Sequence, residues 1–348
     1  MMMSARSLRI LVAILALGLI GATPIASQQT TTAQSEQIYL ALGDSIPAGL
    51  LASLPTERGY PAVLRNLMET HRLSSDSPGN VELINLSEPG ETIESFIEDG
   101  QLESALSEIE EAPDGAMQTI TLTIGGNNIL SLWESTPAER EAALENFEAG
   151  FADVVEELDE ATTGMDVDVV VTTYYDLTEG DPSVEGSNAW WLMQFNDVIR
   201  DAAGEADFSV VDLSDEFTDR ITELTWFPAD IHPNNAGHQM IARTIWQQLG
   251  YDQEPPDVEI TRPDSDEVRS RTPTIHAIAT DDVSIETVLL EIDGEAVSEL
   301  IYVADRERWI GVWDARDYPD SSAVIAVRAI DVSGNEEIDS IPVMLPSR

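Results

Sequence analysis

Cysteine is absent from the 348 residues, and so is lysine: all 17 basic side chains are arginines. Without a thiol there can be no disulfide, no zinc–thiolate site and no cysteine nucleophile. A secreted chain without disulfides is ordinary when its domains are large enough to stand on core packing. Histidine is scarce, at four residues, so imidazole chemistry is confined to a few positions. The 17 arginines face 65 acidic side chains, for a formal net charge of −48. Such a surface repels nucleic acid and anionic lipid, which removes both as partners. It serves either solubility or a high-salt habitat, where counter-ions screen the self-repulsion. There is no glycine-rich phosphate loop, no dinucleotide fingerprint and no DxDxDG calcium loop, so no cofactor and no metal are expected.

What is present is a hydrophobic content of 43%, enough for a packed core, in a chain long enough for two domains. Arg6 and Arg9 precede the apolar run ILVAILALGLIG (10–21), and the small residues of ATPIAS follow. Charged start, apolar middle and small-residue end are the three parts of a secretory signal peptide, expected over 1–27 with a polar leader at 28–36. Cleavage is expected near Ser27 or Ala33. The run is short for a membrane span, which takes about 20 apolar residues. The expectation is therefore a secreted or extracellular protein with no stable membrane anchor after cleavage, an uncleaved anchor being the alternative.

From Gln37 to Tyr251 short apolar runs alternate with helical patterns. Strands are expected at 38–42, 81–86, 118–124, 167–175 and 208–213, all rich in branched residues. Helices are expected at 59–72, 101–111, 137–161, 188–204 and 235–249; in 137–161, Phe147, Phe151, Val154, Val155 and Leu158 recur at three- and four-residue steps. Strands alternating with helices predict crossover units around a central parallel sheet, a flavodoxin-like three-layer α/β/α sandwich over 37–251 with its ligand site at the carboxyl ends of the strands.

The stretch DQEPPD (252–257) reads as a linker. After it, 258–348 alternates in Val, Ile and Thr between turn signals such as DG (293–294) and SGN (333–335), with no helical period. This predicts a small all-β sandwich domain. Its ending VRAIDVSGNEE resembles the last strands of bacterial immunoglobulin-like or fibronectin-like modules. The acidic turns DD (281–282) and DVSGNEE (331–337) read as solvated charge rather than as a calcium site.

Ser45, in LALGDSIPAG (40–49), stands just past the first strand, where an open parallel sheet presents its ligand site. A serine needs a base, and usually a third group to orient that base. His71 ends a polar helix, His276 lies in a strand and His238 in a helix; His232, in PADIHPNNAGH, lies in a loop two residues after Asp230. LSEPGETI (86–93) and TIGGNNIL (123–130) follow the second and third strands and bring Gly90 and Asn127 to the same sheet edge. The backbone N–H groups of Ser45 and Gly90 and the Asn127 amide make three candidate donors for an oxyanion, each worth about 3 kcal/mol in the transition state.

Taken together, GDS at 43–45, Gly90, GGNN at 125–128 and DIHPN at 230–234 resemble the SGNH, or GDSL, hydrolase family over residues 38–250. The resemblance implies a flavodoxin-like serine hydrolase with Ser45 as nucleophile, His232 as base, and Ser45, Gly90 and Asn127 as the oxyanion hole; with the N-terminal pattern, the expectation is a secreted serine esterase or lipase. The substrate would be a carboxylic ester: a short-chain acyl ester, a lipid or an acetylated polysaccharide. The second domain would be a spacer or would bind a polysaccharide or cell-surface glycan. An inactive, surface-binding relative and an acyltransferase are the alternatives.

Two features depart from the family pattern. The last block is usually Asp, two residues, then His, whereas only Ile231 separates Asp230 from His232. Either Asp230 still orients the ring, which is the expectation, or a backbone carbonyl or another acid does. Asn128 also replaces a common aspartate, where support of loop geometry is expected. Trp190 and Trp191 are expected as a substrate-binding wall; Trp133 and TTYYDLTEG (172–180) are further candidates for the cleft.

Overall fold

The computed structural model describes residues 37–74, 80–178, 180–264 and 266–347; the expected signal peptide and polar leader lie outside the described residues. The described residues fall in one compact unit. Its first part is built on strands β1 (Gln37–Gly43), β2 (Val81–Asn85), β3 (Met117–Thr123), β4 (Asp168–Thr172) and β5 (Ser209–Val211). They pair in parallel in the order β2-β1-β3-β4-β5. This is the flavodoxin-like order, with its topological switch between β1 and β3.

Helices α1 (Pro55–Arg58), α2 (Tyr60–Ser74), α3 (Ile93–Glu98), α4 (Gln101–Glu111), α5 (Gly126–Leu130), α6 (Pro137–Thr162), α7 (Asn188–Glu205), α8 (Leu213–Phe217), α9 (Ile221–Leu224) and α10 (Asn235–Leu249) connect the strands. The five long ones coincide closely with the periodic segments of the sequence. The spacing does not reveal α1, α3, α5, α8 and α9, which at four to six residues are too short to show a helical period.

The central strands are covered on both faces, and Tyr39, Leu40, Ala41 and Leu42 are fully buried. The alternation in QTITLTI places Thr119, Thr121 and Thr123 in the interior as well. A buried hydroxyl needs a partner. Tyr39 Oη meets Thr121 Oγ1 at 2.9 Å, Tyr60 Oη meets Thr123 Oγ1 at 3.1 Å, and Thr172 Oγ1 donates to Thr123 at 2.8 Å. Strand β4 stops at Thr172, short of the expected Tyr175. Asn196 of α7 there takes over the pairing, accepting the Tyr174 N–H at 3.0 Å and donating to the Tyr174 carbonyl at 2.8 Å. The two tyrosines thereby turn out of the sheet.

The second part is antiparallel: β6 (Asp257–Arg262), β7 (Thr274–Thr280), β8 (Ile285–Ile292), β9 (Glu295–Glu299), β10 (Ile301–Val303), β11 (Arg308–Val312), β12 (Ser322–Asp331) and β13 (Glu336–Met344). Two four-stranded sheets, ordered β10-β11-β7-β6 and β13-β12-β8-β9, face each other across their own core of Ile275, Leu290, Ile325 and Val327. The DG turn joins β8 to β9 with φ of +51° at Asp293 and +86° at Gly294, the two positive angles of a tight hairpin turn.

The junction between the parts is built rather than loose. Trp246 of α10, fully buried, donates its indole N–H to Ser333 Oγ at 2.8 Å, and Ser333 Oγ–H donates to Asp252 at 2.6 Å. Arg243 pairs with Glu286. Here the reading of the acidic turns as solvated charge is corrected for Asp331, which is fully buried, as Asp252 of the linker nearly is; Glu336 and Glu337 are exposed. Packing against α10 closes off solvent, and N–H donors replace it. Asp331 accepts the main-chain N–H groups of Ser333 and Asn335, at 2.8 and 2.9 Å, and the Asn335 amide at 2.9 Å. Burial, together with the neighbouring carboxylates, pushes the Asp281 and Asp331 carboxyls above the usual range.

Candidate active site

The site lies at the carboxyl ends of β1 and β3. At the end of β1, Gly43 has φ of +127°, and a Cβ there would stand 1.9 Å from the Thr123 carbonyl oxygen. Only glycine lets the two strand ends approach so closely. The chain then coils into a turn in which Ala48 N–H bonds Asp44 O and Leu50 N–H bonds Ser45 O. Ser45 is held on this turn, 8% exposed.

The His232 loop is fixed from its other end. Asn234 caps α10, accepting the Ala236 and Gly237 N–H groups at 2.8 and 3.1 Å, and donates to the Glu223 and Thr225 carbonyls at 2.7 and 3.1 Å. A side-chain cap contributes about 1 kcal/mol. Gly237 allows the close approach, since a Cβ there would meet the Leu224 carbonyl oxygen at 2.1 Å. Asn235 and Ser53 exchange hydrogen bonds between the two loops, both at 3.0 Å.

This places His232 Nε2 2.8 Å from Ser45 Oγ and His232 Nδ1 2.6 Å from Asp230 Oδ1. The same Oδ1 accepts the His232 main-chain N–H at 3.0 Å. That N–H, with the imidazole, holds the Asp230 carboxyl below the usual carboxylate range. The one-residue spacing is met by this tight turn of Asp230 back onto its own i+2 neighbour, a local geometry that aspartate favours. His238 is fully buried and accepts the Tyr60 N–H at 3.3 Å. Burial pushes its pKa down to about 4.

Of the expected oxyanion donors, Asn127 gives one amide N–H to the Glu91 carbonyl at 2.8 Å, which orients the amide and leaves its second N–H. Gly90, exposed and with φ of +93°, lies in the turn between Glu88 and Glu91. That turn is tied to β1 by the bond from Glu88 N–H to Gly43 O at 3.0 Å. Asn128 accepts the Ile93 N–H at 3.0 Å and donates to Glu94 at 2.8 Å, bracing the start of α3.

A cavity of about 60 Å³ opens beside Ser45, lined by Asn127, Ile129, Trp133, Tyr174, Leu177 and Leu192 among others. The expected wall of Trp190 and Trp191 is not part of it. Successive residues of a helix point about 100° apart, so Leu192 reaches the cavity while the two indoles pack edge to face on each other, 4.8 Å between centroids.

Asp44, beside the serine, is a site residue the sequence reading passes over, although an acid at the end of a buried strand is a signal in itself. It is 2% exposed, accepting the Tyr174 hydroxyl at 2.5 Å and the Ile46 N–H at 2.9 Å. Burial pushes its carboxyl up to about 6, against these hydrogen bonds. A carboxyl raised in this way carries no penalty below its unfolded value and the full penalty above its folded one. The Tm of Asp44→Asn relative to the unchanged protein is therefore expected to become more favourable as pH rises from about 4 through about 6. A difference independent of pH in thermal unfolding would contradict the buried-charge account.

Two acidic groupings bring potential metal-ligating atoms within 4.8 Å of one another among the described residues, His71 with Asp252 and Asp282, and Asp252 with Asp281 and Asp331. They sit at the domain junction and share no residue with the Ser45 site.

A parallel sheet of this order, with hydroxyl, imidazole and carboxylate in line at its carboxyl edge, defines the SGNH class of α/β hydrolases. The chain belongs to the GDSL-like lipase/acylhydrolase family, whose model matches residues 41–240. A bacterial Ig domain model matches 256–327. Among solved structures the chain is similar to the acetylxylan esterase Axe2 from Geobacillus stearothermophilus, at 19% identity and TM-score 0.49, covering 63% of this chain and 97% of that one. It is similar also to LAE5, an alpha/beta hydrolase from the metagenome of Lake Arreo, Spain, at 20% identity and TM-score 0.48, covering 63% and 97%. A GDSL-like lipase from Parabacteroides merdae shares 16% identity at TM-score 0.48, covering 63% and 98%. No curated protein matches.

Proposed function

We propose that this chain is a secreted serine esterase that cleaves carboxylic esters of short acyl groups. The observation that carries the chemistry is the unbroken chain from Ser45 Oγ through both nitrogens of His232 to Asp230, at 2.8 and 2.6 Å. With Asp230 on Nδ1, Nε2 faces Ser45 as the proton acceptor. The Ser45 oxygen attacks the ester carbonyl, its proton passes to His232, and the negative oxygen is met by N–H donors of Ser45, Gly90 and Asn127. His232 returns the proton to the departing alcohol, then activates the water that releases the acid. Secretion is supported by the arginine–apolar–small pattern of residues 1–27.

The cavity supports the acyl size. At about 60 Å³, and walled by Ile129, Trp133, Leu177 and Leu192, it is a small apolar recess, which suits a short acyl group such as acetyl or propionyl. The test is a series of p-nitrophenyl esters of rising acyl length. The expected result is highest kcat/KM at two to three carbons and a fall of about tenfold or more by six; a maximum at long chains overturns the size assignment. No turnover, with no mass shift at Ser45 on treatment with a phosphonate ester, overturns the esterase reading itself.

A further inference from the structure

We infer that the rim formed by Leu50, Leu51, Leu54 and Trp226 is the subsite for the alcohol part of the ester, and that it selects alcohols with an apolar hydrocarbon face. This rests on the esterase reading above and narrows its substrate. The four side chains are between 36% and 49% exposed. Clustered large apolar groups are unusual on the surface of a soluble domain and mark binding sites, and this chain carries a net charge of −48.

Their position follows from the two loops that hold the reacting groups. Leu50 N–H bonds the Ser45 carbonyl at 3.0 Å, and Trp226 N–H bonds the His232 carbonyl at 3.1 Å. The loops are joined where the Trp226 indole N–H donates to Leu51 O at 3.2 Å. Leu51 has φ of +64°, a left-handed conformation that leucine rarely adopts. Strain of this kind concentrates at functional sites.

The reaction decides which part of the substrate meets the rim. The departing oxygen must come within about 3 Å of the nitrogen that protonates it, so the alcohol lies on the His232 side. On the esterase reading, the recess lined by Asn127, Tyr174 and Leu192 takes the small acyl group. The rim's chemistry then sets the class of alcohol. Its indole N–H is spent on Leu51 O, and Ser53 and Asn235 bond each other. The Ser53 hydroxyl accepts from Asn235 and keeps its own hydrogen, but the four side chains of the rim present only leucine and indole faces, which suits an aryl or alkyl alcohol over a polyol.

The test compares two acetates of the same acyl group, benzyl acetate and glycerol monoacetate, with Trp226→Ala, Trp226→Phe and the double variant Leu51→Asn/Leu54→Ser. Asparagine tolerates the left-handed conformation better than leucine, and circular dichroism with thermal unfolding checks each fold. In the alanine and double variants the ratio of kcat/KM for benzyl acetate over glycerol monoacetate is expected to fall about tenfold, mainly through KM. Trp226→Phe is expected to keep most of the ratio. A ratio unchanged in both disruptive variants, with the unchanged protein active, overturns the rim proposal and leaves the esterase standing. A third acetate, a monoacetylated methyl xyloside, distinguishes a sugar occupant: its kcat/KM falling more than that of benzyl acetate also overturns the proposal. An unchanged protein that turns over none of the acetates overturns the esterase reading and this one with it.

Discussion

Ser45→Ala is expected to lower kcat for p-nitrophenyl acetate by about 10⁴-fold or more, and His232→Ala by a similar factor. The double variant is expected to lose no more than either alone. The reason is the shared hydrogen bond: with Nε2 2.8 Å from Oγ, the hydroxyl and the imidazole act as one device, and removing either half disables it. Steady-state kinetics on the three variants, with a stopped-flow search for the acyl-enzyme burst, checks this. Losses that multiply in the double variant would mean that the two groups work independently, against the 2.8 Å geometry.

Asp230 carries the second large effect, and its two substitutions are expected to separate. Asp230→Ala removes both the acceptor for His232 Nδ1 and the acceptor for the His232 main-chain N–H, at 2.6 and 3.0 Å. A loss of about 10³- to 10⁴-fold in kcat is expected. In Asp230→Asn one carbonyl oxygen can still accept both bonds, because both fall on Oδ1. The ring orientation then survives and only the negative charge opposite the imidazolium is lost, for an expected cost of about 10- to 100-fold. Equal losses in the two variants would show that the charge, not the orientation of the ring, is what Asp230 supplies. Side-chain exposure of 41% at Asp230 keeps water near the carboxylate, which tempers the charge contribution.

The short Asp–His spacing is instructive because it looks like a defect in one dimension and is none in three. Asp230 and His232 flank a single isoleucine, yet the Trp226–His232 loop folds back through main-chain bonds from Ala229 and Asp230 to Trp226 O, at 2.9 and 3.1 Å. That fold brings the carboxylate to the near side of the ring. No residue count along the chain reveals it, since the loop is shaped by Asn234 gripping the Glu223 and Thr225 carbonyls from outside.

Other features were hidden for related reasons. Trp190 and Trp191 read as a wall because indoles are large and apolar, but the rotation of α7 sends Leu192 to the cavity and turns the indoles against each other. Asp331 reads as surface charge in a turn, and becomes fully buried only because α10 of the other part packs over it through Trp246 and Ser333. Asp44 enters the sequence reading only as the middle of GDS; its burial under Tyr174 depends on β4 ending early, where Asn196 replaces the strand partner.

Whatever repeats locally was legible along the chain. Branched residues in short runs, helical periods in long ones, and the DG hairpin are enough for a parallel sheet with covering helices followed by an antiparallel sandwich. The blocks around Ser45, Gly90 and Asn127 follow because each stands just after a strand whose end is legible, and His232 because it stands just before the legible helix that starts at Asn235. Distances and burial came from the fold: that Oγ and Nε2 lie 2.8 Å apart across 187 positions, and that Asn127, Tyr174 and Leu192 meet in one recess beside them. Periodicity is a property of neighbouring residues, whereas reach, enclosure and desolvation belong to groups brought together from distant parts of the chain, and packing alone sets them.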